Sequence, residues 1–243
     1  NIFCLLNLKK KIVTEQFSRV IDLQNSSRTE FYRNYLFNIE DWSSSYTILT
    51  EGETKTDFDH DGVLERFKTQ LDRTSIHSTY SLTPDFSWAV DRSFNVDNLK
   101  NYIFISPFSS NKLPHKRWPH YAELIHMIKT KFPELDVVVA PGPGEIEEAN
   151  KLNAKVILDG AKPTNFSQLA KIIEGAKLVI ANDTGPAHMA AHLGCKGVVL
   201  FGTHTTPKKV SIETDSFKAI VSDNLSNLSA ETVFLKIESL LRN

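Results

Sequence analysis

The sequence predicts an α/β protein built on a doubly wound parallel sheet. Three observations carry this. Short apolar runs alternate with amphipathic segments along residues 102–241. The runs are continuously apolar rather than alternating, as expected for strands covered on both faces. The loops that follow them hold Pro, Gly and polar residues, where a doubly wound sheet places its ligands. Composition agrees: 41% of the 243 residues are hydrophobic and 23% charged, ordinary for a globular chain.

The elements follow in order. Phe3, Leu5, Leu6, Leu8, Ile12, Val13 and Phe17 lie at helical spacing opposite Lys9, Lys10 and Lys11, predicting an amphipathic helix. Residues 19–23 read as a short strand ending in the polar loop Gln24-Asn25-Ser26-Ser27-Arg28. Thr29 is the expected cap of a helix through Leu36. Residues 41–60 read as irregular or weakly stranded, and 61–71 as a helix with Val63, Leu64, Phe67 and Leu71 on one face. Residues 81–100, aperiodic and containing Pro84, are expected to connect two domains, 1–98 and 99–243.

In the second half, strands are predicted at 102–106, 136–140, 156–158, 177–181 and 197–201. Helices are predicted from Trp118-Pro119 to about 131, at 145–152, from Thr164 or Asn165 to Glu174, at 186–193 and at 229–241.

Charge and motifs exclude several functions. With 28 Lys+Arg against 29 Asp+Glu the chain lacks the basic excess of a nucleic-acid binder. No apolar run is long enough for a membrane span. Asn1 to Lys11 has no signal-peptide pattern, and Cys4 and Cys195 form neither a metal spacing nor a disulfide framework, which fits a reducing compartment. There is no Gly-x-x-x-x-Gly-Lys-Ser/Thr loop, no post-strand Gly-x-Gly-x-x-Gly and no Gly-x-Ser-x-Gly elbow.

Three post-strand loops carry the chemistry. Residues 107–119 hold Lys112, Lys116 and Arg117 with Ser109 and Ser110. Cations at a helix start oppose the helix dipole unless an anion sits there, so this loop is read as an anion site. Pro141-Gly142-Pro143-Gly144-Glu145 places a carboxylate where it can meet a ribose diol, or simply start a helix. Asn182-Asp183-Thr184-Gly185-Pro186-Ala187-His188 turns a strand into a helix of small residues. The N–H groups of Thr184, Gly185 and Ala187 are positioned to face one diphosphate, and His188 lies in the first turn, in reach of a phosphate or sugar oxygen. His188 and His192 form an i, i+4 pair. The zinc-protease pattern needs Glu where Met189 stands, so no metal is expected and His192 reads as a packed helix residue.

These residues carry a family resemblance. The stretch 181–194, with Val198-Val199-Leu200-Phe201-Gly202 after it, resembles the signature of glycosyltransferase family 9, the ADP-heptose:lipopolysaccharide heptosyltransferases. Ser106-Pro107-Phe108-Ser109-Ser110 with Lys116-Arg117-Trp118-Pro119 is similar to that family's basic loop, and residues 22–28 to its N-domain strand and loop.

The resemblance implies a GT-B fold of two Rossmann-like domains and a metal-independent, inverting transfer of heptose from ADP-heptose to the lipopolysaccharide inner core, with no cofactor. By position it implies Lys116 at the diphosphate and Asp183, Thr184, Gly185 and His188 around the phosphates and donor sugar. It sets Glu145 near the ribose, and Ser109 joins the substrate-binding set. A cytoplasmic enzyme is implied; an acceptor embedded in the inner membrane would add a peripheral contact, for which Lys9, Lys10 and Lys11 are the candidate face, although three lysines read more simply as a solvated helix face.

The family's general base is held to be an aspartate in a Gly-rich loop after the first strand, a segment expected upstream of Asn1; Asp22 sits on a later strand. Two Rossmann-like domains need roughly 300 residues or more, so the N-terminal domain is expected to be incomplete. Thr203-His204-Thr205-Thr206-Pro207 departs from the usual proline-containing turn after Phe-Gly. Two alternatives stand beside transfer: a non-catalytic nucleotide-sugar binder and a GT-B sugar-nucleotide epimerase.

Overall fold

The computed structural model describes residues 2–77, 83–96 and 98–242 (for Ile2, its backbone only). Ser81, Leu82 and Asp97 of the expected connection lie outside the described residues. The chain divides into two compact units, Asn1–Leu82 and Thr83–Asn243.

The first unit contains helix α1 (Ile2–Glu15), strand β1 (Arg19–Ile21), helix α2 (Ser27–Phe31) running into a π-helical turn at Tyr32–Leu36, strand β2 (Asp41–Ser43), and helices α3 (Lys55–Phe58) and α4 (Val63–Arg73). β1 and β2 pair in parallel, Val20 opposite Trp42. The cap of α2 is Ser26; Thr29 is the third helical residue, and the two close a reciprocal capping box. Residues 41–60 are more ordered than expected. β2 is a three-residue strand without an apolar run, and a second capping box, Thr54 with Asp57, starts α3.

Buried Gln70 from α4 joins the strand ends. Its amide donates to the Asp22 carbonyl (3.0 Å) and Ser43 Oγ (3.0 Å) and accepts from Asn25 Nδ2 (2.9 Å). The Asp22 carboxylate accepts the N–H groups of Gln24 and Asn25 (both 3.1 Å), so it shapes the turn.

The second unit holds strand β3 (Tyr102–Ser106), helix α5 (Tyr121–Lys131), strand β4 (Asp136–Val139), helix α6 (Ile146–Ala149), strand β5 (Lys155–Val156), helix α7 (Phe166–Glu174) and strand β6 (Leu178–Asn182). It continues with helix α8 (Gly185–His192), strand β7 (Gly197–Phe201), helix α9 (Pro207–Val210), strand β8 (Phe217–Val221) and helix α10 (Ala230–Arg242). The six strands are all parallel, in the order β5-β4-β3-β6-β7-β8.

Alternate residues face opposite layers. Ile103, Ile105, Ile180 and Leu200 pack with α5 and α10, while Phe104, Val179, Ala181 and Phe201 pack with α7 and α8. Both faces are thus dry, which is why the strands read as unbroken apolar runs.

Phe86 and Asp91, in the stretch read as a connection, donate backbone N–H groups to the carbonyls of His192 (3.0 Å) and Ser167 (3.1 Å) and so belong with the second unit. α5 starts at Tyr121, later than Trp118-Pro119, because Trp118 is buried and its Nε1 donates to the Leu228 carbonyl (2.7 Å) instead of entering the helix. β8 and α9, between the last two predicted elements, are additional. β8 is an edge strand with Phe217 buried and Lys218 exposed, a pattern too polar to announce itself.

Candidate functional site

The strand order reverses between β3 and β6, which are neighbours in the sheet although β4 follows β3 in sequence. Doubly wound sheets open a crevice at such a switch point, beyond the carboxyl ends of the strands. The register pairs Ser106 with Ala181, so the loop after β3 and the loop after β6 leave the sheet side by side.

Asn182, fully buried at the end of β6, fastens these loops. Its Nδ2 donates to the Pro107 carbonyl (2.8 Å), and its Oδ1 accepts from Trp118 N–H (3.3 Å) and the Tyr121 hydroxyl (3.2 Å). Tyr121 did not stand out in the sequence as a site residue, and Asn182 appeared there only as the first residue of the third loop, with no role of its own.

Lys116 and Asp183 meet across this seam. Lys116 Nζ lies 2.7 Å from Asp183 Oδ2 and 3.2 Å from the Asp183 carbonyl. Lys116 and Arg117 do not sit at a helix start: Lys116 closes a 3-10 turn, Pro114–Lys116, ahead of α5. The charge balance is therefore local. Lys116 answers Asp183, while Arg117 pairs with Glu148 (3.0 Å) and donates to the Ser109 carbonyl (2.9 Å).

Asp183 is only 3% exposed. Burial by itself would push its carboxyl up, but contacts from His188, Lys116 and His204 outweigh this and hold it well below the usual carboxylate range. His204 Nε2 lies 2.7 Å from Oδ2; His188 Nε2 stands 3.6 Å from Oδ1, beyond hydrogen-bond reach but close for a charge. His204, which follows β7, was not among the predicted binding residues. Its signal was a histidine in a post-strand loop of the same sheet edge.

Thr184 occupies the cap position of α8 in extended backbone, yet its hydroxyl donates to the Asn182 carbonyl (3.3 Å) rather than capping the helix. The N–H of Ala187 is engaged by the Thr184 carbonyl (3.0 Å) and is not available to a ligand as expected. Among the described residues, the N–H groups of Thr184 and Gly185 have no protein acceptor. Donors left open at a helix start favour an anion.

Beside α8 lies a cavity of about 310 Å³ whose wall includes Phe108, Ser109, Pro141, Glu145, Phe166 and Thr184. Ser109 is buried and donates to the Leu113 carbonyl (2.9 Å). Glu145 accepts the Gly142 N–H (2.7 Å); a Cβ at Gly142 would stand 3.0 Å from that carboxylate oxygen, so a larger residue would push the Glu145 side chain aside, and Gly144 takes φ +82. Of the predicted residues, Ser109, Glu145 and Thr184 line this cavity, while Lys116, Asp183 and His188 gather in the adjoining polar cluster and Gly185 begins α8.

Burial, and then nearby His188, push the His192 ring below the usual imidazole range. Among the described residues, no group of three or more His, Cys, Asp or Glu is arranged to hold a metal ion.

A six-stranded parallel sheet in this order, with its loops gathered at the reversal point, defines a doubly wound α/β unit of the GT-B kind. Residues 47–236 match the family model described as glycosyltransferase family 9 (heptosyltransferase). The chain belongs to that family and is a glycosyltransferase of heptosyltransferase type.

Solved structures with the same fold include the E. coli heptosyltransferase WaaC with ADP, 18% identical with a TM-score of 0.70 over 97% of this chain and 77% of that one. E. coli ADP-heptose LPS heptosyltransferase II is also 18% identical, with a TM-score of 0.71 over 99% and 81%. UDP-GlcNAc 2-epimerase from Methanocaldococcus jannaschii is more distant, 12% identical with a TM-score of 0.53 over 98% and 74%. No curated protein matches the chain by sequence.

Proposed function

We propose that this enzyme moves heptose from ADP-heptose to a hydroxyl of the lipopolysaccharide inner core, with inversion and without a metal ion or other cofactor. The observation that carries the reading is the meeting of Lys116 and Asp183 beside the open N–H groups of Thr184 and Gly185.

In the reaction, the bond from the anomeric carbon to the diphosphate oxygen breaks as the acceptor oxygen bonds from the opposite face. The acceptor proton goes to a general base, and ADP leaves with new negative charge. Charge growing on a leaving group is stabilised by donors already in place. Lys116 has three N–H donors; the Asp183 carbonyl and carboxylate take two, which leaves one for a phosphate oxygen. The N–H groups of Thr184 and Gly185 act with it, and His188 reaches a phosphate or sugar oxygen. Glu145 has one carboxylate oxygen bound to Gly142 and the other for a ribose hydroxyl. The nucleoside fits the cavity that Ser109 and Phe166 help to wall.

A lipid-anchored acceptor implies work at a membrane surface. Among the described residues no helix is long and apolar enough to cross a membrane. Exposed Lys9, Lys10 and Lys11 on α1, beside exposed Phe3, Leu6 and Val13, support a peripheral contact with the cytoplasmic side of the inner membrane.

Calorimetric titration tests the site. ADP should bind the wild type, and Lys116→Ala should weaken it by roughly tenfold or more, about the worth of one charge-assisted hydrogen bond, with adenosine unaffected. Equal ADP affinity in the two proteins would overturn the assignment. Incubation of ADP-heptose without acceptor separates transfer from epimerisation: an epimerised sugar nucleotide would favour the latter.

A further inference from the structure

The loop after β7 approaches the site through His204, whose surroundings are unusual. The ring stacks on Phe201 (centroids 6.2 Å apart, planes at 10°) and meets the edge of His115 (5.3 Å, 60°). Its Nε2 contacts Asp183 Oδ2 at 2.7 Å, whereas Nδ1 is buried with no partner among the described residues. The carboxylate can only accept, so the neutral ring carries its proton on Nε2. Asp183 Oδ2 then receives two donors, His204 Nε2–H and Lys116 Nζ, each at 2.7 Å, while Oδ1 has only His188 Nε2 at 3.6 Å. Lys116 touches Asp183, but nothing among the described residues besides Asp183 fixes its Nζ.

We infer that His204 is a positioning residue: by clamping Oδ2 it fixes the rotamer of Asp183, and through Asp183 it holds the Lys116 ammonium against the donor's diphosphate. This rests on the proposed nucleotide-sugar site. Two aromatic contacts fix the ring, and one hydrogen bond passes that order to a carboxylate that would otherwise turn with the flexible lysine. A pre-set donor binds an anion more tightly than one that must be ordered during binding. The effect is confined to the diphosphate, since His204 does not line the cavity assigned to the nucleoside.

The test is a calorimetric series with ADP and adenosine on the full chain: wild type, Lys116→Ala, His204→Ala and His204→Gln. Gln places an amide N–H near the position of Nε2, so it restores the clamp without the imidazole. His204→Ala should lose about tenfold in ADP affinity, and His204→Gln should stay within about threefold of wild type. Adenosine affinity should be the same in all four.

His204→Ala binding ADP as tightly as wild type, while Lys116→Ala binds weakly, would overturn the inference and leave the site intact. So would His204→Gln as weak as His204→Ala, or equal losses for ADP and adenosine, which would mark a merely structural ring. A wild type that ignores ADP would remove the nucleotide site and this inference together.

Discussion

At the scale of single residues, the site turns on a carboxylate that is buried and yet strongly ionised. Removing water from Asp183 opposes its charge, and three basic neighbours more than offset that cost. Linkage gives the sign. A carboxyl whose pKa is depressed on folding adds stability that is complete above its unfolded value, near 3.9. That contribution is lost as pH falls from there toward the folded value, because only the unfolded chain takes up the proton. Asp183→Asn keeps the shape but removes the charge, leaving Lys116, 19% exposed, without its counter-ion. We expect a loss of about 2 kcal/mol at pH 7, from the broken charge-assisted hydrogen bonds. Denaturant unfolding at a series of pH values should show the gap between wild type and variant narrowing below about pH 4. A gap that stays constant from pH 7 to 3 would mean that the carboxylate is not stabilised by these neighbours.

At the scale of elements, the site is a by-product of strand register. β3 and β6 end together, and Asn182 ties the loop of one to the loop of the other. Most of this frame was legible in the sequence, because strands dry on both faces leave apolar runs that no surface residue interrupts. The loops were legible in content but not in connection. Lys116 and Asp183 are far apart in sequence, and only the order β4-β3-β6 makes them neighbours. Trp118 misled the placement of α5 because its ring is used to plug the core. His204 was hidden for a similar reason, since its role depends on β7 lying next to β6.

The register also depends on close backbone approach at Gly197, the first residue of β7. A Cβ there would stand 2.2 Å from the Val179 carbonyl oxygen and 2.8 Å from the Phe217 ring. The obstacle on one side is backbone, which cannot rotate away. Gly197→Ala should therefore cost about 3 kcal/mol and lower Tm by several degrees in a thermal melt, in the range of core overpacking. A variant that melts with wild type would show that β7 and β6 can separate without penalty.

At the scale of the whole molecule, the two compact units divide the labour unevenly. Every residue assigned to the donor, from Ser109 to His204, lies in Thr83–Asn243. That unit has its own six-stranded sheet and a core on each face, and the stretch before β3 is bonded to α7 and α8 rather than left as a tether. A unit with a complete core folds on its own. Expressed alone, residues 83–243 should unfold in one cooperative transition and bind ADP within about threefold of the full chain. The reason is chemical: on the proposed reading, the groups that neutralise the leaving group, from Lys116 and Asp183 to His204, all come from loops of this unit. If the piece folds cooperatively but loses ADP, the leaving-group site is not confined to the second unit, and the assignment of Lys116, Asp183 and the start of α8 as a sufficient anion cradle is wrong.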